Sequence, residues 1–437
     1  MNAFSAATIA TAYFLPSRSF ACAQFLFCAM TAGICSLGNA DEQSPCPAVP
    51  SDRRAMLESL EKLKSRSPRL PMSAEQISKI QASSQEPIVN NSMLRRIYLP
   101  ETLQGSRIRQ PDPAMTLPND FGVELFWIAS RANDCHYCLG HQEGKLLALG
   151  VLEPTLAALD CDWSLFPPEK QLAFAFSKTL TQSPYMLSEA HLDALRLHFE
   201  EMEILEIIFL VSRYNATNRW TDATGIPQES FRTFDSSLTA DELSKPSIVA
   251  PLSPVARPVP PSRLLWKQSI AQRATRSSRF PCAGDPSLSN HVRLLLNFPV
   301  AGQQIVNQLQ SLETESRLSA IVRWAIFWTA SRHDQAWYMQ HESYRNLCAL
   351  GLTDDYIFSL EQKETCPEEL WPVLLFATKL TVSPQSIDDR DLEQLLEKKT
   401  AAETAEIIFT VGMAAFLDRF TEASGLGWST AASDTSR

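Results

Sequence analysis

Apolar positions along the chain recur at helical rather than alternating spacing. Leu125 to Ala132 is an apolar-rich run that stops at Asn133-Asp134, a pair that reads as the N-cap of the next helix. The pattern predicts that second helix from about Cys135 to Gly150, glycine being a common C-terminal stop. Further helices are predicted at about 168–182, 188–199 and 201–218, the last containing the apolar stretch Ile204 to Val211. Pro167-Pro168 suits the start of the first of these. No period-two pattern is sustained anywhere, so the predicted class is all-α.

The pattern occurs twice. Phe126-Trp127-Ile128-Ala129-Ser130-Arg131 recurs as Phe327-Trp328-Thr329-Ala330-Ser331-Arg332, and the match runs without a gap to Ala148-Leu149-Gly150 and Ala349-Leu350-Gly351. Phe176 to Pro184 matches Phe376 to Pro384, Glu206-Ile207-Ile208-Phe209 matches Glu406-Ile407-Ile408-Phe409, and Asn218 to Asp222 matches Asp418 to Glu422, all at an offset of 200 or 201. Such self-similarity implies a duplicated domain. The expected organisation is a signal segment at 1–40, an N-terminal extension at 41–87, a first domain at 88–235, a Pro/Ser-rich linker at 236–290, a second domain at 291–428 and a tail at 429–437. The apolar stretches Leu205 to Val211 and Ile407 to Val411 are expected to pack the copies into an intrachain pseudo-dimer, or to assemble a homo-oligomer.

Composition sharpens this picture in three places. A chain of 437 residues is too long for one ordinary core, and 14 Gly against 28 Pro fits helices better than a barrel or sandwich. A net charge of −10 offers no basic surface to a nucleic acid, which excludes that class of partner. Phe20 to Ala32 is an apolar run after Arg18 and before Gly38-Asn39-Ala40, the order of a secretory signal; it implies export to a periplasmic or extracellular space, the alternative being a cytoplasmic protein.

Of ten cysteines, only Cys135 and Cys138 have a spacing that carries chemistry. In Cys135-His136-Tyr137-Cys138 the sulfurs share one face at a predicted helix N-terminus, where they can close a disulfide and where the helix dipole favours a thiolate. His141 follows one turn on and can take a proton from Cys138; Glu124 on the preceding helix can hold the imidazole. The second copy has Ala336, Met339, Glu342 and Ala325 at these four positions, so it keeps the pattern and lacks the chemistry. By the same comparison, residues common to both copies, such as Trp127, Arg131 and Tyr137, read as scaffold. Half of a zinc site and a purely structural disulfide are the competing readings of the CxxC.

Glu124, Cys135-x-Tyr137-Cys138, His141 and Ala148-Leu149-Gly150 together resemble the alkylhydroperoxidase D-like branch of the carboxymuconolactone decarboxylase superfamily. The resemblance covers roughly 120–225, and 318–428 as a degenerate copy. It implies all-helical domains that reduce peroxides through the CxxC pair with no cofactor beyond the redox-active disulfide. Cys138 would attack the peroxide, Cys135 would resolve the sulfenic acid, His141 would be the base and Glu124 its relay partner. The substrate would be a hydroperoxide or a disulfide, and the electrons would come from a thiol donor. The spacing differs from the family's by one residue at two places: Gln142 and Val123 stand where the family keeps its histidine and glutamate. Two other functions fit the residues: a dithiol electron-transfer or thiol–disulfide exchange protein without peroxidase activity, and a helical binding or assembly module with a structural CxxC.

Overall fold

The computed structural model describes residues 48–83, 89–104, 111–251, 259–274 and 276–428; the expected signal segment and the C-terminal tail lie outside them. The first half carries α1 (Arg53–Lys62), α2 (Ala74–Ser83), α3 (Asn91–Tyr98), α4 (Asn119–Asn133), α5 (His136–Ala148), α6 (Glu153–Cys161), α7 (Pro168–Gln182), α8 (Glu189–Arg196) and α9 (Glu201–Thr224). After them come α10 (Ala240–Leu243), α11 (Arg263–Arg273), α12 (Asn290–Leu295), α13 (Ala301–Thr314), α14 (Ala320–Asp334), α15 (Trp337–Ala349), α16 (Asp354–Ser359), α17 (Trp371–Val382), α18 (Asp389–Leu396) and α19 (Ala401–Ala423). Among the described residues there is no strand, only an isolated bridge between Asp52 and Pro246. The protein is all-α. No helix among these residues is long and apolar enough to cross a membrane.

Helix boundaries follow local chemistry. A capping box of Glu200 and Glu203 opens α9, and Gly225, at φ 66°, ends it in the left-handed region that glycine adopts without strain. Thr400 and Glu403 open α19 in the same way. The link from α4 to α5 corrects the sequence reading. Asp134 is not an N-cap: it sits at φ 56° as the left-handed C-cap of α4, and Cys135 takes the N-cap position of α5. Gln335, at φ 50°, makes the equivalent link from α14 to α15. Polar residues favour both roles, so composition alone could not choose between the end of one helix and the start of the next.

α9 and α19 lie side by side at the centre. Phe209 packs edge-on against Phe416 and Phe420, with ring centroids 5.5 and 5.9 Å apart, and Phe298 closes on it at 4.9 Å. Two buried arginines cross between the halves in matching fashion. Arg219 on α9 donates to the carbonyl of Thr381 (3.0 Å), and Arg419 on α19 donates to the carbonyl of Thr181 (2.9 Å). Arg419 also pairs with the buried Asp334 at 2.8 Å.

The stretches read as extension and linker are structured where they are described. Within 41–87, α1 buries Met56 and Leu60; within 236–290, Val249, Trp266 and Phe280 are buried. Arg131 ties the first stretch down by bonding Asp160 (3.1 Å) and the carbonyl of Pro50 (2.7 Å); Arg332 bonds Glu361 (2.8 Å) and the carbonyl of Pro261 in the equivalent way. Short amphipathic helices between prolines have the composition of a linker, which is why they escaped the sequence reading.

Removing one of the crossing arginines tests this core. Arg419→Met leaves Asp334 buried without its cation and is expected to cost about 3–5 kcal/mol. Arg219→Met removes guanidinium hydrogen bonds to the neutral oxygens of Asn215 and Thr381 and is expected to cost about 1–3 kcal/mol. Urea unfolding at neutral pH measures both, and equal losses would contradict the assignment.

Candidate dithiol site

Cys135 and Cys138 stand at the N-terminus of α5, which meets the C-terminal third of α9. Thr221, on α9, places its hydroxyl 3.1 Å from Cys135 Sγ and 3.2 Å from Cys138 Sγ. The same hydroxyl donates to the backbone carbonyl of Thr217 or Asn218, each 3.1 Å away. With its proton used there, its lone pairs accept from both thiols; to stabilise a thiolate it must rotate and donate to sulfur instead. Both cysteines are free thiols.

Their surroundings differ. Both are buried, Cys135 at 0% and Cys138 at 3% exposure, but Cys138 lines a cavity of ≈1290 Å³ and Cys135 is not part of its lining. Burial pushes the Cys135 thiol well above its usual pKa, and the neighbouring Cys138 and Asp222 add to the shift. Asp222 hydrogen-bonds Cys135, and its Oδ2 has no partner. Burial raises this carboxyl from 3.8 to about 7, against the opposing pull of Cys135, His136 and Arg66. Burial also works against the imidazolium of His136, yet Asp134 at 3.1 Å leaves that group raised. Asp222 and His136 share a small polar pocket with Arg66 and Arg69.

His141 also reaches the cavity, but its partners are not those expected. Its Nε2 bonds Glu229 at 2.8 Å, and its Nδ1 accepts from Arg232 at 2.9 Å. Because Arg232 can only donate, the Nε2 proton must point to Glu229, and neither ring nitrogen is left to accept from Cys138 in this arrangement. Burial works to raise the Glu229 carboxyl, but His141 and Arg232 outweigh it and hold the group at about 2. Glu124, the expected partner of His141, instead bonds Lys170 at 2.7 Å. It sits on α4 with its charge met by α7, so helix spacing alone assigned it to the wrong neighbour.

The segment after α9 delivers Glu229. Gln228 donates to the carbonyls of His136 (2.7 Å) and Tyr137 (3.1 Å), and Arg232 to that of Gly140 (3.4 Å). A Cβ on Gly140 would collide with the Gln228 amide, and one on Gly144 with Arg232, so the two glycines make the track on which this segment lies. In the second half, His341 replaces Gly140 and stacks on Trp428 with ring centroids 4.3 Å apart. The spacing of Gly140 and Gly144 was the one sequence signal for this crossing. Thr221 and Asp222 were passed over because both halves share the surrounding block. Among the described residues no group of three or more His, Cys, Asp or Glu side chains is arranged to hold a metal ion.

Comparison with protein-family models and with curated proteins finds no match to this chain.

Two variants probe the site. Thr221→Val removes the hydroxyl both sulfurs share and is expected to slow alkylation of Cys138 by about tenfold at pH 7.5, while Thr221→Ser restores it; peptide mass spectrometry after timed iodoacetamide labelling measures this. Asp222→Asn tests the raised carboxyl. Unfolded, this aspartate ionises near 3.8 and, folded, near 7, so the folded chain holds the extra proton between those values. Its contribution to stability therefore falls as pH rises from about 4 to 7, by about 4 kcal/mol at most. The stability of Asp222→Asn relative to the parent is expected to climb over that window, read from urea midpoints at pH 4, 5.5 and 8; a flat difference would refute the shift.

Proposed function

We propose that this protein is a dithiol oxidoreductase that reduces hydroperoxides, with Cys138 as the attacking sulfur and Cys135 as the resolving one. The observation that carries this reading is the difference between the sulfurs: one lines a large cavity, the other is fully buried outside its lining, and a single hydroxyl lies within hydrogen-bonding distance of both. The resemblance to the alkylhydroperoxidase D-like branch supports the same assignment. We further read the two halves as tandem copies of one such domain, the second without thiols. Support comes from the sequence repeat and from the crossing arginines, whose contacts exchange partners between the halves.

The Cys138 thiolate attacks one peroxide oxygen, the O–O bond breaks, and the alcohol leaves with a proton. The sulfur becomes a sulfenic acid. Cys135 then attacks that sulfur, water departs, and the disulfide forms. An external thiol donor returns two electrons and two protons. One hydroperoxide and two thiols thus give alcohol, water and disulfide. As Cys135 attacks it must lose a proton that its buried position holds tightly. Asp222, bonded to it and ionising near 7, is the acceptor in place. Thr221 supports the Cys138 thiolate by turning its hydroxyl toward sulfur.

The family's proton relay takes a different form here. Gln142, where the family keeps histidine, donates to the carbonyl of Cys138 at 3.2 Å. Glu229 takes the place of Glu124 as the carboxylate on His141. With Arg232, these residues fix the charge at the edge of the cavity, and His141 serves as a positioning residue in the state described.

The test is single-turnover oxidation of the reduced chain by an organic hydroperoxide. Cys138→Ser is expected to abolish peroxide consumption with an unchanged helical circular-dichroism spectrum. Cys135→Ser is expected to stop at a sulfenic acid that dimedone traps, and Asp222→Asn to form the sulfenic acid normally but to slow disulfide closure by about 10²-fold or more. Disulfide exchange with a small dithiol but no reaction with hydroperoxide would assign electron transfer instead. A disulfide that resists reduction, with a large fall in melting temperature in both cysteine variants, would assign a structural staple.

A further inference from the structure

The cavity that Cys138 lines is larger than a small peroxide needs. At ≈1290 Å³ it exceeds the roughly 300–1,000 Å³ of ordinary small-molecule sites. Both halves wall it: Phe126, Leu210 and Trp220 from the first, Phe409, Met413 and Phe416 from the second. Such a lining accepts an apolar stem.

Among the described residues, the carboxylates of its wall are matched and one of its cations is not. Three carboxylates line it, and each is engaged by groups of the chain itself. Asp112 accepts from the backbone N–H groups of Val300 (2.8 Å) and Ala301 (2.7 Å) at the start of α13. Glu206 accepts from those of Thr116 (2.7 Å) and Leu117 (3.1 Å), and Glu229 holds His141 and Arg232. Arg95, on α3, has no such match. Its guanidinium lies over the ring of Trp220 at 4.8 Å and that of Phe409 at 5.8 Å, and its Nε donates to Asn91 Oδ1 at 3.0 Å. Among the described residues its charged neighbour is another cation, Arg213, which also lines the cavity. Burial, and then Arg213, lower the Arg95 guanidinium to about 10. A desolvated guanidinium with a cation rather than an anion as its charged neighbour is costly until an anion joins it. Arg95 is also close to the thiols in the chain of contacts. Trp220, beneath it, precedes the Thr221 that touches both sulfurs, and the Asn91 backbone bonds Tyr137 of the CxxC.

We infer that the cavity binds a carboxylate on a long apolar stem, with the carboxylate on Arg95 and the stem along the Phe409–Met413–Phe416 wall. Resting on the peroxidase reading, this makes the substrate a hydroperoxide of an apolar carboxylic acid. Arg95 is then the residue that sets the preference for acids.

Binding is tested apart from chemistry, by calorimetric titration of the Cys135→Ser/Cys138→Ser double variant with dodecanoate and dodecanol. Dodecanoate is expected to bind about ten- to a hundredfold tighter than the alcohol, the worth of a charge-assisted hydrogen bond. Arg95→Gln is expected to erase the preference, and Arg95→Lys, which keeps a cation and a stem over Trp220, to retain most of it. Equal affinity for acid and alcohol in the parent, or an undiminished preference in Arg95→Gln, overturns the inference. In the thiol-bearing protein, Arg95→Gln is expected to raise KM for a carboxylate-bearing hydroperoxide about tenfold or more and leave that for tert-butyl hydroperoxide unchanged. Acid-selective binding without peroxide turnover in the parent keeps the anion site and sinks the dithiol chemistry; turnover without acid selectivity does the reverse.

Discussion

The contact between α9 and α19 is the constraint on which the rest of the structure depends. Both helices are long, and α19 is buried along nearly its whole length. A helix apolar all round needs partners on every side. α9 finds α19 on one side, through Phe209 against Phe416 and Phe420, and the N-terminus of α5 on another, through Thr221. The residues between, Trp220 and Leu210, face the cavity with Phe409, Met413 and Phe416 of α19. The thiol-bearing half alone would leave that cavity without one wall. The half without thiols therefore contributes to the cavity, because it supplies apolar surface to the space that Cys138 lines.

Equivalent positions in the two halves meet the same steric demand with different chemistry. On α5, Glu143 holds Arg53 through two bonds of 2.9 and 3.0 Å and accepts from the indole of Trp127 at 3.0 Å, all buried. On α15 the matching position is Tyr344, and Trp266, Trp328 and Phe358 close around it as an aromatic cluster. A buried ion pair and a well-packed apolar cluster of similar volume are close to interchangeable in stability. Asn218 donates to Ser130 and accepts from Asn133, both within the buried layer under the thiols. Its counterpart Asp418 is buried beside Asp334, and burial pushes its carboxyl well above the usual range. Kept protonated, an aspartic acid fills the place of an asparagine.

Much of this was legible in the residues because helical period and internal repetition are local signals. The helices at 168–182 and 201–218 were read nearly to their ends, and α9 runs on to Thr224 only because the chain meets its glycine stop at 225. The pair Cys135 and Cys138 was legible because their spacing has meaning on any helix. Partnership across helices was not. Glu124 is compatible with His141 by spacing, but Lys170 on α7 is a cation within 2.7 Å, and no one-dimensional pattern reports it. Comparing the two copies also had a blind side: whatever both shared was read as scaffold. Thr221 is shared, and Thr421 bonds the carbonyl of Leu417 as an ordinary helical threonine does. The same hydroxyl beside two sulfurs is a functional group, so reuse of a scaffold residue is invisible to a comparison that looks for differences.

Unequal access of the two buried sulfurs to the cavity also bears on how the pair is driven. A helix N-terminus favours an anion, and so does a threonine hydroxyl free to turn. Cys138 receives both influences at the cavity wall. Cys135 shares the hydroxyl but also faces Asp222, and two acids in one dry site resist losing both protons. Closing the disulfide removes one of those acids. The proton that leaves Cys135 has Asp222 beside it, and once the sulfur is bonded it no longer donates the hydrogen bond that held the carboxyl down. Arg66 and His136 stay within electrostatic reach, but with the Cys135 hydrogen bond gone Asp222 holds its proton more tightly in the oxidised state than in the reduced one. Oxidation and proton retention at Asp222 are thereby linked: the proton taken from Cys135 stays on the carboxyl in the disulfide state, and reduction, by restoring the thiol donor, eases its release.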